Sequence, residues 1–163
     1  MRKLLVAFLA TVTIWAAQTS SLRAASFEEG LDAFNSGDFS HAFSVWSRLS
    51  REGDAKAQAS LGFMYYAGKG VRRDDHQSLY WFRQAAEAGQ PTAQFFLGLQ
   101  YFFGRGVPRD LAQAYSWCDI ALTNGYSQGL SCRDAVERKM SPDEERRASE
   151  LSAEFFRTHP FRN

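Results

Sequence analysis

A chain of 163 residues with 45% hydrophobic and 23% charged side chains has the make-up of one modest globular domain and excludes an intrinsically disordered chain. Its formal net charge of +1, with no cluster of Lys and Arg, excludes an electrostatic magnet for nucleic acid or anionic membranes. An aromatic share of 15%, with 14 Phe, leaves ample apolar area to bury.

The first segment is not part of the domain. Arg2 and Lys3 precede an apolar run from Leu4 to Ala17, and a small, polar stretch follows from Gln18 to Ala25. That order describes a secretory signal. The run of about 14 residues is shorter than the roughly 20 that a spanning helix needs. No clean A-x-A triplet marks the cut, so cleavage anywhere from residue 19 to 25 fits, and an uncleaved anchor is the alternative. Removal takes away Arg2, Lys3 and Arg23 and leaves 16 basic against 18 acidic residues, a net charge of −2. The expectation is a periplasmic or secreted protein with no stable membrane insertion once the signal is gone.

From residue 26 the chain reads as helical hairpins. Ser26 and Glu29 have the spacing of a capping box at the start of the first unit, 26–56. Its stretch FNSGDFSHAFSVWSRLSREGDA has a short turn at Gly37-Asp38. The next two units, 57–92 and 93–128, match each other at 14 positions in a 36-residue register. The shared residues include Leu61/Leu97, Gly62/Gly98, Tyr65/Tyr101, Gly68/Gly104, Gly70/Gly106, Trp81/Trp117 and Gly89/Gly125. A fixed period of this size signals stacked repeats.

Within a unit, Ala57, Leu61, Met64 and Tyr65 recur at helical spacing. Gly68 and Gly70 stop that helix, Asp74 caps the next, and Leu79, Phe82, Ala85 and Ala86 give the second helix its apolar side, with Trp81 alongside. Gly89 closes it, and Pro91 suits the first turn of the following helix. Gly62 and Gly98 fall mid-helix, where Gly costs about 1 kcal/mol against Ala, so a close approach by a neighbouring helix is expected there. Gly68-Lys69-Gly70 also resembles a phosphate cradle. Such a loop is needed once and carries Lys followed by Ser or Thr; here Val71 follows, and the motif recurs as Gly104-Arg105-Gly106-Val107. The structural reading is taken.

The last unit, 129–163, combines a degenerate half-repeat with a capping helix. Tyr126–Lys139 has the character of a first helix, although Arg133-Asp134 stand where Leu-Gly occurs in the other units. Ser141, Pro142 and Glu144 then open a final helix expected to run to about Arg157. It is expected to turn Leu151, Phe155 and Phe156 inward and Glu145, Arg146, Arg147 and Glu150 outward.

The pattern A-x-x-x-L-G-x-x-Y-x-x-G-x-G-V-x-x-D…W-x-x-x-A…G, met at 57–89 and 93–125, resembles the Sel-one-like repeat (SLR) family, a relative of the tetratricopeptide repeat. The resemblance implies an all-α fold, an α/α superhelix of helix–turn–helix repeats of about 36 residues. It also implies adaptor or scaffold work without catalysis and without a cofactor.

Cys118 and Cys132 lie seven residues on either side of Gly125, the turn between two antiparallel helices, so both fall at the same height. A Cys118–Cys132 disulfide is the reading, with two buried free thiols as the alternative. His41, His76 and His159 are scattered and form no metal-ligand or catalytic spacing. Phe96, Leu99 and Phe103 form one stripe on the helix that also carries Leu97, Gly98 and Tyr101. First helices line the concave face of such a solenoid, so the stripe is a candidate floor for a partner peptide or helix; burial against the next helix is the alternative. The functional expectation is an exported, non-enzymatic interaction module of the cell envelope. The alternative is a cell-wall-fragment or β-lactam binder or hydrolase, as in cysteine-rich relatives of the family. Those relatives carry a Cys pair in each unit, whereas this chain has one pair.

Overall fold

The computed structural model describes residues 27–159; the signal-like segment, Ser26 of the expected capping box and the last four residues lie outside that span. Among the described residues there are eight helices and no strand. They are α1 (27–36), α2 (Phe39–Arg51), α3 (Ala55–Ala67), α4 (Asp75–Glu87), α5 (Pro91–Phe103), α6 (Leu111–Thr123), α7 (Gln128–Glu137) and α8 (Pro142–Thr158). Successive helices pack as hairpins, α3 on α4 and α5 on α6, and each hairpin stacks on the one before it. The fold is an α/α solenoid.

Local chemistry sets each boundary. Asp38, Asp54, Asp74 and Asp110 cap α2, α3, α4 and α6 by accepting first-turn backbone N–H groups. α3 and α5 end on Gly68 and Gly104, at φ/ψ of 67°/36° and 68°/38°, where a left-handed residue lets the chain turn without a Cβ clash. The two glycines therefore hold one backbone conformation 36 residues apart. Ser141 and Glu144 form the reciprocal capping box at the start of α8, with Pro142 in its first turn.

Packing between paired helices depends on the mid-helix glycines. A Cβ at Gly62 would stand 2.8 Å from Phe82 Cδ1, and one at Gly98 would stand 2.6 Å from Cys118 Sγ. This is the close approach expected at both positions. Gly30 plays the same part in the first unit, with the indole of Trp46 over it. The core runs through all units as three clusters, around Trp46 and Leu49, around Phe82 and Leu97, and around Cys118 and Val136.

Stacking of one hairpin on the next is reinforced by a bond that repeats with the sequence. Gln58 Nε2 donates to the Ser50 carbonyl at 3.2 Å, and Gln94 Nε2 donates to the Ala86 carbonyl at 3.1 Å. Both amides are buried. Each adds a second donor to a carbonyl at the end of the preceding helix, which also accepts the backbone N–H of the turn glycine, Gly53 or Gly89.

The C-terminal end departs from the regular stack. α8 packs on α6, running parallel to it, rather than pairing with α7 as α4 pairs with α3. Arg147 bonds Asp110, Ser152 Oγ bonds Ser116 Oγ at 3.2 Å, and the Phe155 ring meets Trp117 at 5.4 Å. The fully covered residues of α8 are the small ones, Ala148 and Ser152. Leu151, Phe155 and Phe156 are half-buried, because small side chains at the contact bring α8 close to α6 and leave the large ones at its edges. Cys118 and Cys132 are joined as a disulfide, with Cα atoms 5.8 Å apart, and tie α7 to α6.

Candidate functional site

The Gly-x-Gly turns are committed to the fold. Lys69 Nζ lies 5.5 Å over the Phe39 ring, and the Arg105 guanidinium lies 3.8 Å over Tyr66. Arg105 also pairs with Asp75 at 2.7 Å and donates to the Tyr66 carbonyl at 3.1 Å. Phe39 and Asp75 are 36 residues apart and open α2 and α4. Each turn thus lays its cation on the first turn of the second helix in the unit before it. Neither cation is presented to a phosphate.

Asp75 is the junction of that contact. Hydrogen bonds from Arg73 and then Arg105 hold its carboxyl well below the usual carboxylate range. A carboxyl with a depressed folded-state pKa adds stability above its unfolded pKa of about 3.9 and loses it as pH falls below that value. Asp75→Asn should therefore cost about 1 kcal/mol at pH 7, a charge-assisted bond discounted for partial exposure. Urea melts from pH 7 to pH 3 should show the gap between variant and wild type closing below about pH 4.

The histidines serve local contacts. His41 meets Glu29 at 2.9 Å, the His76 backbone N–H donates to the Asp74 cap, and the His159 ring stacks on Phe155. No cluster of three or more His, Cys, Asp or Glu able to hold a metal ion occurs among the described residues.

The open surface of interest is concave. α1, α3 and α5, the first helices of three successive units, enclose an apolar groove of about 410 Å³. Its walls are Phe27, Leu31 and Phe34 on α1, Ala59, Ser60 and Phe63 on α3, and Thr92 and Phe96 on α5. Aromatic rings step across the units: Phe34 to Phe63 at 6.2 Å, then Phe63 to Phe96 at 5.6 Å. Phe96 is anchored from below by a parallel stack on buried Phe82, 5.0 Å away with planes 4° apart. Polar groups from Asn35, Lys56, Ser60, Gln90 and Thr92 rim the floor.

The stripe read from the sequence is divided by the structure. Phe96 lines the groove. Leu99 is half-buried against the cluster around Cys118 and Val136. Phe103, 60% exposed, stands at the end of α5 with its edge against Phe102. The groove also uses Leu31, Phe34 and Phe63, which the sequence reading had not assigned to the site. Phe63 has the signal that could have found it, since it occupies the Leu99 position one period earlier.

A stack of glycine-turned helical hairpins with a concave, aromatic-floored face defines the class of helical repeat proteins. The model of the Sel1 repeat family matches residues 55–90 and 91–126, and the chain belongs to the Sel1-like repeat proteins. The crystal structure of c5321, a protective antigen of uropathogenic Escherichia coli strains displaying an SLR fold, is similar at 31% identity and a TM-score of 0.79, over 88% of this chain and 32% of that one. A Sel1 repeat protein from Oxalobacter formigenes has the same fold at 23% identity and a TM-score of 0.66, over 80% of this chain and 56% of its own. The chain thus spans about a third of the length of the first and just over half of the second. Sel1 repeat proteins are generally non-enzymatic modules for protein–protein interaction. Among the described residues, no helix is long and apolar enough to cross a membrane.

Proposed function

We propose that this chain is an exported, non-enzymatic adaptor of the cell envelope whose concave groove takes an apolar segment of a partner protein. The observation that carries the reading is the groove itself, a hollow of about 410 Å³ floored by rings from three consecutive units. Half-buried aromatic rings in a concave surface are the usual anchors of peptide recognition. The basic and apolar character of residues 2–17 supports export.

Site-specific crosslinking tests the proposal. Benzoylphenylalanine at Ser60 or Thr92, which line the groove, should trap a defined envelope protein in cells. The same group at Tyr80, an exposed ring on α4, should not. Equal trapping from both positions would contradict the groove. Recovery of the full-length chain, signal segment intact, from the cytoplasm alone would contradict export.

A further inference from the structure

We infer that the first hairpin, α1–α2, is a hinged jaw: it swings away from the rest of the stack as one unit, well before the chain unfolds, and carries one wall of the groove with it. The swing follows from how the units are fastened; its effect on a partner rests on the groove reading above.

The 36-residue period lets the two joints be compared residue by residue. The second joint, between α3–α4 and α5–α6, is tied by polar groups. Arg83 Nη2 donates to Tyr101 Oη at 3.0 Å. Gln100 Nε2 donates to the Asp75 carbonyl at 3.2 Å and to Ser78 Oγ at 3.3 Å. Arg105 pairs with Asp75 and donates to the Tyr66 carbonyl. The first joint, between α1–α2 and α3–α4, has the same shape, since a Cβ at Gly70 would strike Phe39 as one at Gly106 would strike Asp75. Its residues cannot make the same ties. Ser47 stands in the place of Arg83 and leaves a hollow of about 380 Å³ beside Tyr65. Met64 replaces Gln100 and has no donor, and Ala42 replaces Ser78 and has no hydroxyl. Lys69 replaces Arg105 and meets the Phe39 ring instead of a carboxylate. Among the described residues, Gln58 to the Ser50 carbonyl is the one side-chain hydrogen bond across this joint, and no ion pair crosses it. Trp46 Nε1, Ser47 Oγ and Ser50 Oγ on α2 are buried without partners, so opening gives water to groups that the closed joint leaves unpaired.

In a stack of repeats each unit is held by its neighbours alone. Among the described residues α1–α2 has one neighbouring hairpin, and what fastens it there is mainly apolar. Phe34 meets Phe63 at 6.2 Å, Phe43 meets Tyr65 at 5.9 Å, and Met64 joins the cluster around Trp46. The joint runs through the groove. Phe27, Leu31 and Phe34 ride on the jaw, while Ser60, Phe63 and Phe96 stay on the body. A segment seated across both supplies a fastening that the chain itself lacks, so the groove opens to admit it and closes on it.

Native-state hydrogen exchange of the oxidised chain tests the jaw with no partner present. Amides of α1 and α2 should exchange as one group, at least about tenfold faster than those of α4 to α6. Ser47→Arg, which copies Arg83 into the hollow beside Tyr65, should slow α1 and α2 by about threefold or more and leave α6 unchanged. If that variant fails to fold, Arg83→Ser gives the converse readout: it copies the first joint into the second, and exchange in α3 and α4 should rise by about the same factor while α6 keeps its protection. Equal protection of α2 and α4, or a Ser47→Arg effect that is absent or uniform over all helices, overturns the jaw and leaves the groove to the trapping experiment. Separate opening of α1–α2 with no trapping from Ser60 or Thr92 upholds the jaw and removes the groove.

Discussion

Phe82→Ala should cost about 3–5 kcal/mol. The Phe82 side chain is wholly buried. It fills the space left by the missing side chain of Gly62, meets Tyr66 edge to face at 6.3 Å, and lies flat on Phe96 at 5.0 Å. Truncation opens a cavity at the joint of two units. It also removes the support beneath the groove floor. Against a typical total stability of about 5–15 kcal/mol, such a loss takes away a fifth or more. Urea denaturation should show the midpoint falling with the slope unchanged. Peptide affinity should weaken even where the variant remains folded, because Phe96 loses the ring that orients it. A loss under about 1 kcal/mol would mean that the joint repacks freely, contrary to the tight contact at Gly62.

Reduction of the Cys118–Cys132 bridge should cost about 3 kcal/mol. The linked residues are 14 apart in sequence, and closure of a loop of that size constrains the unfolded chain by roughly that amount. The effect should be local in its first stage. α7 is short, the Ser127 that precedes it makes no side-chain cap bond, and the bridge ties it covalently to α6. Hydrogen exchange after reduction should therefore rise first across residues 128–137 and last in α3 and α4. The paired Cys118→Ser, Cys132→Ser variant should reproduce the loss. Uniform acceleration across all helices would contradict a local tie.

The repeat was legible because its marks are backbone marks. Gly68 and Gly104 are needed where the chain turns left-handed, and Gly62 and Gly98 where another helix presses in, so substitution is costly and the pattern stays readable. The groove was only half legible. Its α5 wall was visible as a stripe, but its α1 wall was hidden by register. The first unit has a shorter turn at Gly37-Asp38, so its packing glycine, Gly30, precedes Gly62 by 32 residues rather than 36. A search at the 36-residue period passes over Leu31 and Phe34 for that reason. The partner of α8 was also hidden. Ser141, Pro142 and Glu144 mark where that helix begins, but the small residues Ala148 and Ser152, which decide that it lies on α6, look unremarkable in a polar helix.

The claim on which the functional account depends is that the concave face, and not the convex one, receives the partner. Amide chemical-shift mapping of the oxidised chain, titrated with the segment identified by crosslinking, tests it most directly. The account predicts shifts concentrated at Leu31, Lys56, Ser60, Phe63, Thr92 and Phe96, with Tyr80, Trp81 and Arg83 on α4 unmoved. Shifts concentrated on α4 and the outer side of α2, with the groove residues silent, would contradict it.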